Sequence, residues 1–215
     1  PITAQSPGGS GIQVELPSLE KVWMFNTHLW HYPYAPYQLM NVGYYQGDSI
    51  DPDTPDAELQ AINSARIAHE TEINKVLWDI KSILSSGEPV FLTGDFNEPS
   101  HLDWTTESAQ AGLHPLKVSF PTSKQVTEAG LKDAFRELFP DPVTVPGFTW
   151  PAGTYPETPD SSVADPEDRI DFIYFTGEKV QVKNVQRLGE TADTSDISFA
   201  NYPSDHRAVL ATFEL

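Results

Sequence analysis

Gly94-Asp95-Phe96-Asn97 follows directly on the apolar run Val90 to Thr93. The end of a strand is where an α/β protein presents side chains to a crevice. In extended geometry Asp95 and Asn97 point the same way, offering one carboxylate and one amide oxygen to a hard cation or a phosphate. Taken alone, these residues read more simply as a turn, since Gly and Asp are common turn formers. Ser204-Asp205-His206 stands just before the last apolar stretch. There a carboxylate could ligate a cation, and an imidazole that titrates near neutral pH could move a proton. Adjacent residues point apart in a strand, so the pair needs a bend; a solvated loop with one histidine is the plainer reading.

Asn26-Thr27-His28-Leu29 places Asn26 and His28 on one strand face. A lone His on a mostly apolar strand is more often a satisfied core residue than a catalyst. Asp168-Arg169-Ile170-Asp171-Phe172-Ile173 sets carboxylates amid apolar residues. A buried carboxylate needs a partner, and a nearby His would serve Asp171. Pairing with Arg169, or a place at a sheet edge, would satisfy it equally.

These side chains need a scaffold. Gly11 to Leu16 and Lys21 to Leu29 read as two strands around a Pro-Ser turn, open to pairing as a hairpin. In the second, Val22, Met24, Asn26 and His28 share one face, and Trp23, Phe25, Thr27 and Leu29 the other. The aromatic, proline-rich stretch Trp30 to Asp56 is too irregular for one element and long enough to suggest function. A helix is predicted from about Pro55 to Ser86, with Thr54 as N-cap, Pro55 in the first turn and Gly87 at C′. Leu59, Ile62, Arg66, Ile73, Val76, Leu77, Ile80 and Leu84 give it a core-facing stripe.

A buried strand from Pro89 to Thr93 is expected to break at Gly94, and a second helix to cover Glu128 to Phe139. Arg169 to Phe175, Val180 to Arg187 and Ala208 to Phe213 read as strands. Acidic, proline-rich loops fill Gly147 to Glu167 and Gly189 to Ser204. Helices mixed with strands, and no internal repeat, argue for an α/β sandwich.

With 215 residues, 39% hydrophobic and 11% aromatic, the chain suits one packed domain and is neither disordered nor two full domains. Its apolar runs are too short to span a bilayer. Pro1 to Gly11 is rich in Pro, Gly and Ser, without the basic start or apolar run of a signal peptide. The 13 Lys and Arg against 31 Asp and Glu, a net charge of -18, disfavour a grip on a long polyanion, which needs a basic surface. The same acidity also serves solubility alone. Without cysteine there is no disulfide, thiolate nucleophile or Cys-type zinc site. An extracellular or periplasmic location would suit this acidity and composition.

In chain order, Asn-Thr-His-Leu, Gly-Asp-Phe-Asn, Arg-Ile-Asp-Phe-Ile and Ser-Asp-His resemble the C-terminal motif series of the endonuclease/exonuclease/phosphatase superfamily. That family includes DNase I-like nucleases, abasic-site endonucleases, bacterial sphingomyelinases and inositol-polyphosphate phosphatases. The resemblance runs over residues 20 to 215, with residues 1 to 19 as an irregular N-terminal segment containing a strand. It implies part of a four-layer α/β sandwich, two facing β-sheets flanked by helices. It also implies hydrolysis of phosphate esters by in-line attack of water on phosphorus, with Mg²⁺ or Mn²⁺ neutralising developing charge.

By the same resemblance, Asp95 would orient or deprotonate the water near the metal, and Asn97 would hold a phosphate oxygen and help place Asp95. His206 would be the base or a phosphate contact, its tautomer fixed by Asp171. His28 would contact the phosphate and protonate the leaving oxygen, with Asn26 beside it as a substrate contact. Asp95, Asn97 and Asp205 form the expected metal set, and Asp168 is a weaker substitute for Asp171.

The family's series begins with a strand bearing Asn and a strand carrying Gln-Glu, whose Glu is the principal metal ligand. Neither is found, and Glu15 and Glu20 come too late in the order. The expectation is therefore a domain without its N-terminal strands, which a complementing N-terminal segment would complete. A small phosphodiester, phospholipid headgroup or sugar phosphate is the expected substrate. Two alternatives stay open: a non-catalytic or incomplete module of the same fold, and a nuclease with a local basic patch. Trp30, His31, Tyr32, Tyr34 and Tyr37, with Trp104 and Trp150, could line a pocket, dock on a lipid surface or simply pack beneath a long loop.

Overall fold

The computed structural model describes residues 1–42, 47–152 and 166–215. Residues 43–46, within the aromatic stretch expected over 30–56, and 153–165, within the acidic loop expected over 147–167, lie outside the described residues. Strands β1 (Ile2–Gln5), β2 (Gly11–Glu15), β3 (Lys21–His28), β4 (Val90–Asp95), β5 (Lys132–Asp133) and β6 (Asp171–Thr176) form one sheet in the order β1-β2-β3-β4-β6-β5. A smaller sheet is built from β7 (Gln181–Gly189), β8 (Ile197–Ser198) and β9 (Ala208–Glu214), in the order β8-β7-β9. The expected hairpin is β2 against β3, and β3 runs parallel to β4. A parallel pair needs a long crossover, and it contains the helices α1 (Ala35–Met40) and α2 (Ala57–Leu84).

The sheets face one another through Val22, Phe91 and Phe175 on one side and Val185, Val209, Ala211 and Phe213 on the other. The Phe213 ring sits 4.9 Å from Phe91 and 5.1 Å from Phe175. The opposite face of the large sheet buries Trp23, Phe25, Leu92 and Tyr174 against Ile73, Val76, Leu77 and Ile80 of α2 and Val126 of α4 (Pro121–Glu128). Burying side chains of this kind is worth roughly 1.5–3 kcal/mol each, and it anchors the strands from which three of the motifs project. Two facing sheets with helices outside the larger one match the sandwich expected. Among the described residues, no helix is long and apolar enough to cross a membrane.

Several local expectations give way. Helix α2 starts after Asp56, while Thr54 closes the preceding turn by donating its hydroxyl to Asp51 O. Leu59 and Arg66 are exposed, and the first half of α2 instead buries Ala57, Ala61 and Ala65, small enough for α1 and the Trp104–Phe120 cluster to approach. Gly87 comes one position later than C′, since Ser85 is the C-cap. No single helix covers 128–139: α4 ends at Glu128, Gly130 takes φ +97°, and β5 leads into α5 (Ala134–Leu138), capped by the Asp133 carboxylate. One further short helix, α3 (Thr106–Gln110), starts at the Thr105 cap.

Strand β4 does not break at Gly94 but runs through it to Asp95. Gly94 has φ +149°, and a Cβ there would lie 1.9 Å from Thr27 O. Only a residue without a side chain lets β3 and β4 stay in register to their last pair. The N-terminal segment is likewise ordered: the Asp79 carboxylate accepts from Gly8 N, Ser10 N and the hydroxyls of Ser6 and Ser10, fastening the β1–β2 turn to α2.

Candidate active site

Three strands of the large sheet end in one row. His28 pairs with Asp95 across β3 and β4, and Asp95 pairs with Asp171 across β4 and β6. Paired residues on neighbouring strands present their side chains to the same face, so the register alone gathers an imidazole and two carboxylates. His206 reaches the row from the loop before β9. Its Nδ1 lies 2.9 Å from Asp171 Oδ2 and its Nε2 3.9 Å from Asp95 Oδ2. His28 Nε2 is 3.4 Å from the same Asp95 oxygen, with its side chain 73% exposed.

Asn97 fixes Asp95 from the other side. It sits in the left-handed region at φ +45°, which Asn tolerates better than most residues. Its backbone N–H donates to Asp95 Oδ1 at 2.8 Å, and its Nδ2 donates to Leu29 O at 2.8 Å and approaches Asp95 Oδ2 at 3.3 Å. The loops after β3 and β4 are thereby tied together.

The electrostatics follow from this crowding. Burial, then the neighbouring charge of Asp171, raises the Asp95 pKa, against the pull of the Asn97 N–H, His206 and His28. Burial by itself would lower His206. The hydrogen bond to Asp171 and the charges of Asp171, Asp95 and Asp205 outweigh it, and its pKa is raised. Asp95, Asp171 and His206 each offer a ligand atom within 4.8 Å of the others. Two carboxylates and an imidazole are groups that could ligate a divalent cation, and a cation between Asp95 and Asp171 would relieve their repulsion.

The structure regroups the expected residues. Asp205, expected in the metal set, has an exposed side chain outside this cluster and bears on the site through its charge on His206. Asn26 is exposed on the same face, accepting from the Thr93 hydroxyl at 3.0 Å. Asp168 is no substitute for Asp171. It is buried and accepts from Tyr34 Oη at 2.7 Å and Trp104 Nε1 at 2.8 Å. Arg169 does not pair with Asp171 either; it is buried between Asp103 and Asp133. Of the aromatic group, Tyr34, Tyr37 and Trp104 are packing, and Trp150 lies 6.2 Å from the His206 ring.

Two supports had no recognisable sequence signal. The buried Thr149 hydroxyl accepts from Ile170 N and Asp171 N, while its carbonyl accepts from Arg207 N, joining the residues flanking the His206–Asp171 pair. Glu98, next to Asn97, meets His69 of α2 in a buried contact of 2.7 Å. Both depend on chain crossings that no local pattern encodes.

The Endonuclease/Exonuclease/phosphatase family is matched over residues 25–206. The Uncharacterized protein F14F9.5 of Caenorhabditis elegans is 28% identical over 214 residues, covering 96% of this chain and 64% of that protein. The chain thus spans just under two thirds of the length of this curated relative. Among solved structures, the 3′ phosphatase NExo from Neisseria, bound to product DNA hairpin, superposes with a TM-score of 0.51 at 17% identity, over 100% of this chain and 70% of that one. An AP endonuclease from Archaeoglobus fulgidus gives 0.50 at 14% identity, with the same two coverages. At these identities the likeness concerns the fold.

Proposed function

The chain belongs to the endonuclease/exonuclease/phosphatase family, and from that membership and the geometry of its site we propose that it hydrolyses phosphate esters with Mg²⁺ or Mn²⁺ and water as nucleophile. The observation that carries this reading is the meeting of His28, Asp95, Asp171 and His206 at adjacent strand ends. Asp95 and Asp171 would hold the ion, which would neutralise charge on the phosphoryl oxygens. Asp95 orients the attacking water and takes its proton, a task its raised pKa favours. Asn97 holds Asp95 in place through its backbone N–H and its amide. Asp171 accepts from His206 Nδ1 and so leaves Nε2 aimed at the reacting phosphate. His28, the most open of the set, reaches the leaving oxygen, and Asn26 extends the substrate face.

A small phosphodiester, phospholipid headgroup or sugar phosphate fits better than a long nucleic acid. Arg136, Arg169 and Arg207 are buried in ion pairs, so the surface offers fewer cations than the 13 in the sequence. A nuclease would need a basic patch assembled from the remainder. A complementing segment would sit at the open edge of the smaller sheet. Among the described residues β9 pairs only with β7, and Ile12, Met24 and Asn26 stand exposed on the face that carries the site. Strands added at the β9 edge would cover that row and could bring a further carboxylate to Asp95.

The test is turnover of bis(p-nitrophenyl) phosphate with Mg²⁺, Mn²⁺ or EDTA, alongside Asp95→Ala and His206→Ala. Metal-dependent turnover lost in both variants supports the reading. Turnover that persists in EDTA or in both variants rejects it. Turnover that appears only when an N-terminal segment is supplied favours the incomplete-module alternative.

A further inference from the structure

We propose that Trp30 determines specificity, its indole stacking on a flat substituent of the phosphoester, an aryl group or a nucleobase, beside His28. The inference rests on the phosphoesterase reading above and narrows its substrate class. Along β3 and its extension, Trp23, Phe25 and Leu29 are buried, while Met24, Asn26, His28 and Trp30 are exposed. The alternation of exposure thus continues two residues past the end of the strand at His28, and leaves Trp30 in water there. Trp30 is 55% exposed, a large apolar surface left in water two residues after His28.

The backbone beneath this exposed ring is held at both polar atoms. Trp30 N–H donates to Glu72 Oε2 at 2.8 Å. Trp30 O lies 2.8 Å from His69 Nε2, and His69 Nδ1 lies 2.7 Å from Glu98 Oε2. Glu98 accepts in turn from the N–H and hydroxyl of Thr122, each at 2.7 Å. The His69 and Glu98 side chains are 2% and 1% exposed. Burying two ionisable groups is costly unless every polar atom is satisfied. Here that burial runs from the residue after Asn97 to the carbonyl of an exposed tryptophan.

A ring on a pinned backbone loses little freedom on binding, which is what a recognition surface requires. The His31 ring, 4.6 Å away and tilted by 40°, restrains it further. Stacking on such a ring tolerates any flat group, so selectivity is for flatness and not for one base.

The experiment is calorimetric titration of the full chain in Mg²⁺ with phenylphosphonate and with methylphosphonate, which share a charged head and differ in the flat group. The wild type is expected to bind phenylphosphonate about five- to tenfold more tightly. Trp30→Ala should bring the two affinities together with methylphosphonate unchanged, and Trp30→Phe should restore part of the preference. Equal binding by the wild type, or a preference that survives Trp30→Ala, overturns the proposal. So does an absent preference coupled with Trp30-dependent binding to phosphatidylcholine vesicles, which would make the ring a membrane contact. The same preparations are assayed on bis(p-nitrophenyl) phosphate. A Trp30-dependent preference without turnover, with an N-terminal segment supplied or not, would reject the hydrolytic reading and leave the stacking role standing.

Discussion

Asp171 Oδ2 lies 2.9 Å from His206 Nδ1, and this contact satisfies a carboxylate whose nearest cation in sequence, Arg169, points elsewhere. Burial works against a charged imidazole, but the hydrogen bond and charge of Asp171, backed by Asp95 and Asp205, raise the His206 pKa above 6.5. In the metal-free protein, NMR of the imidazole should therefore show His206 titrating above that value, and Asp171→Asn should bring the midpoint down. The sign for stability follows. A raised folded pKa contributes stability that is fully present below the unfolded value of about 6.5 and is lost as pH rises through the folded one. Asp171→Asn should accordingly cost more stability at pH 5.5 than at pH 9. An equal cost at both would break the assignment.

Gly94 offers a sharper structural test. A Cβ 1.9 Å from Thr27 O, at φ +149°, cannot be accommodated while His28 and Asp95 remain paired. Gly94→Ala should cost roughly 3 kcal/mol or more from backbone strain and overpacking. For a domain of this size that is a fall in Tm of about 6–12 °C. A melt unchanged within 2 °C would mean that the strand ends are not locked as described.

The N-terminal hairpin hangs on one carboxylate. Burial would raise the Asp79 pKa, but the hydroxyls of Ser10 and Ser6 and the N–H groups of Gly8 and Ser10 outweigh burial and lower it. A depressed carboxylate contributes stability above its unfolded pKa of about 3.9 and loses it as pH falls through the folded value. Asp79→Ala, which removes the acceptor of several bonds, should cost about 2–3 kcal/mol in urea unfolding at pH 7. The gap from wild type should narrow below about pH 4. A gap that stays constant from pH 7 to pH 3 would show that the charge contributes nothing.

These sites differ in how far the sequence disclosed them. Three of the four motifs are legible because each sits at the end of an apolar strand, where alternation fixes which side chains face together, while Ser204 to His206 lies in the loop before β9. Register then did what spacing could not, setting His28, Asp95 and Asp171 in one row. The role of Asp168 was ambiguous from sequence, since choosing between Asp168 and Asp171 requires knowing which face meets His206. Glu98–His69 and Thr149 were invisible, because partners 29 residues apart and a hydroxyl shared between two segments leave no local periodicity. Helix ends were misplaced where capping competed with turn formation, as at Thr54, and where Gly130 breaks the segment read as one helix.

The repulsion between Asp95 and Asp171 makes a last prediction, about the cation. Each carboxylate disfavours charge on the other, and burial adds to the cost at Asp95, as its raised pKa records. An ion held between them would remove that cost in the folded state and do nothing for the unfolded chain. Stability should then rise with metal by mass action, about 2.7 kcal/mol at a hundredfold excess over Kd, or roughly 5–11 °C in Tm for a domain of this size. Melting curves in Mn²⁺ and in EDTA measure this directly. Asp95→Asn removes the repulsion together with half of the ligand charge, so it should melt at or above the wild type in EDTA and gain little from Mn²⁺. A variant that keeps the full Mn²⁺ shift would place the ion elsewhere, and one that collapses in EDTA would show that Asp95 holds the fold and not the metal.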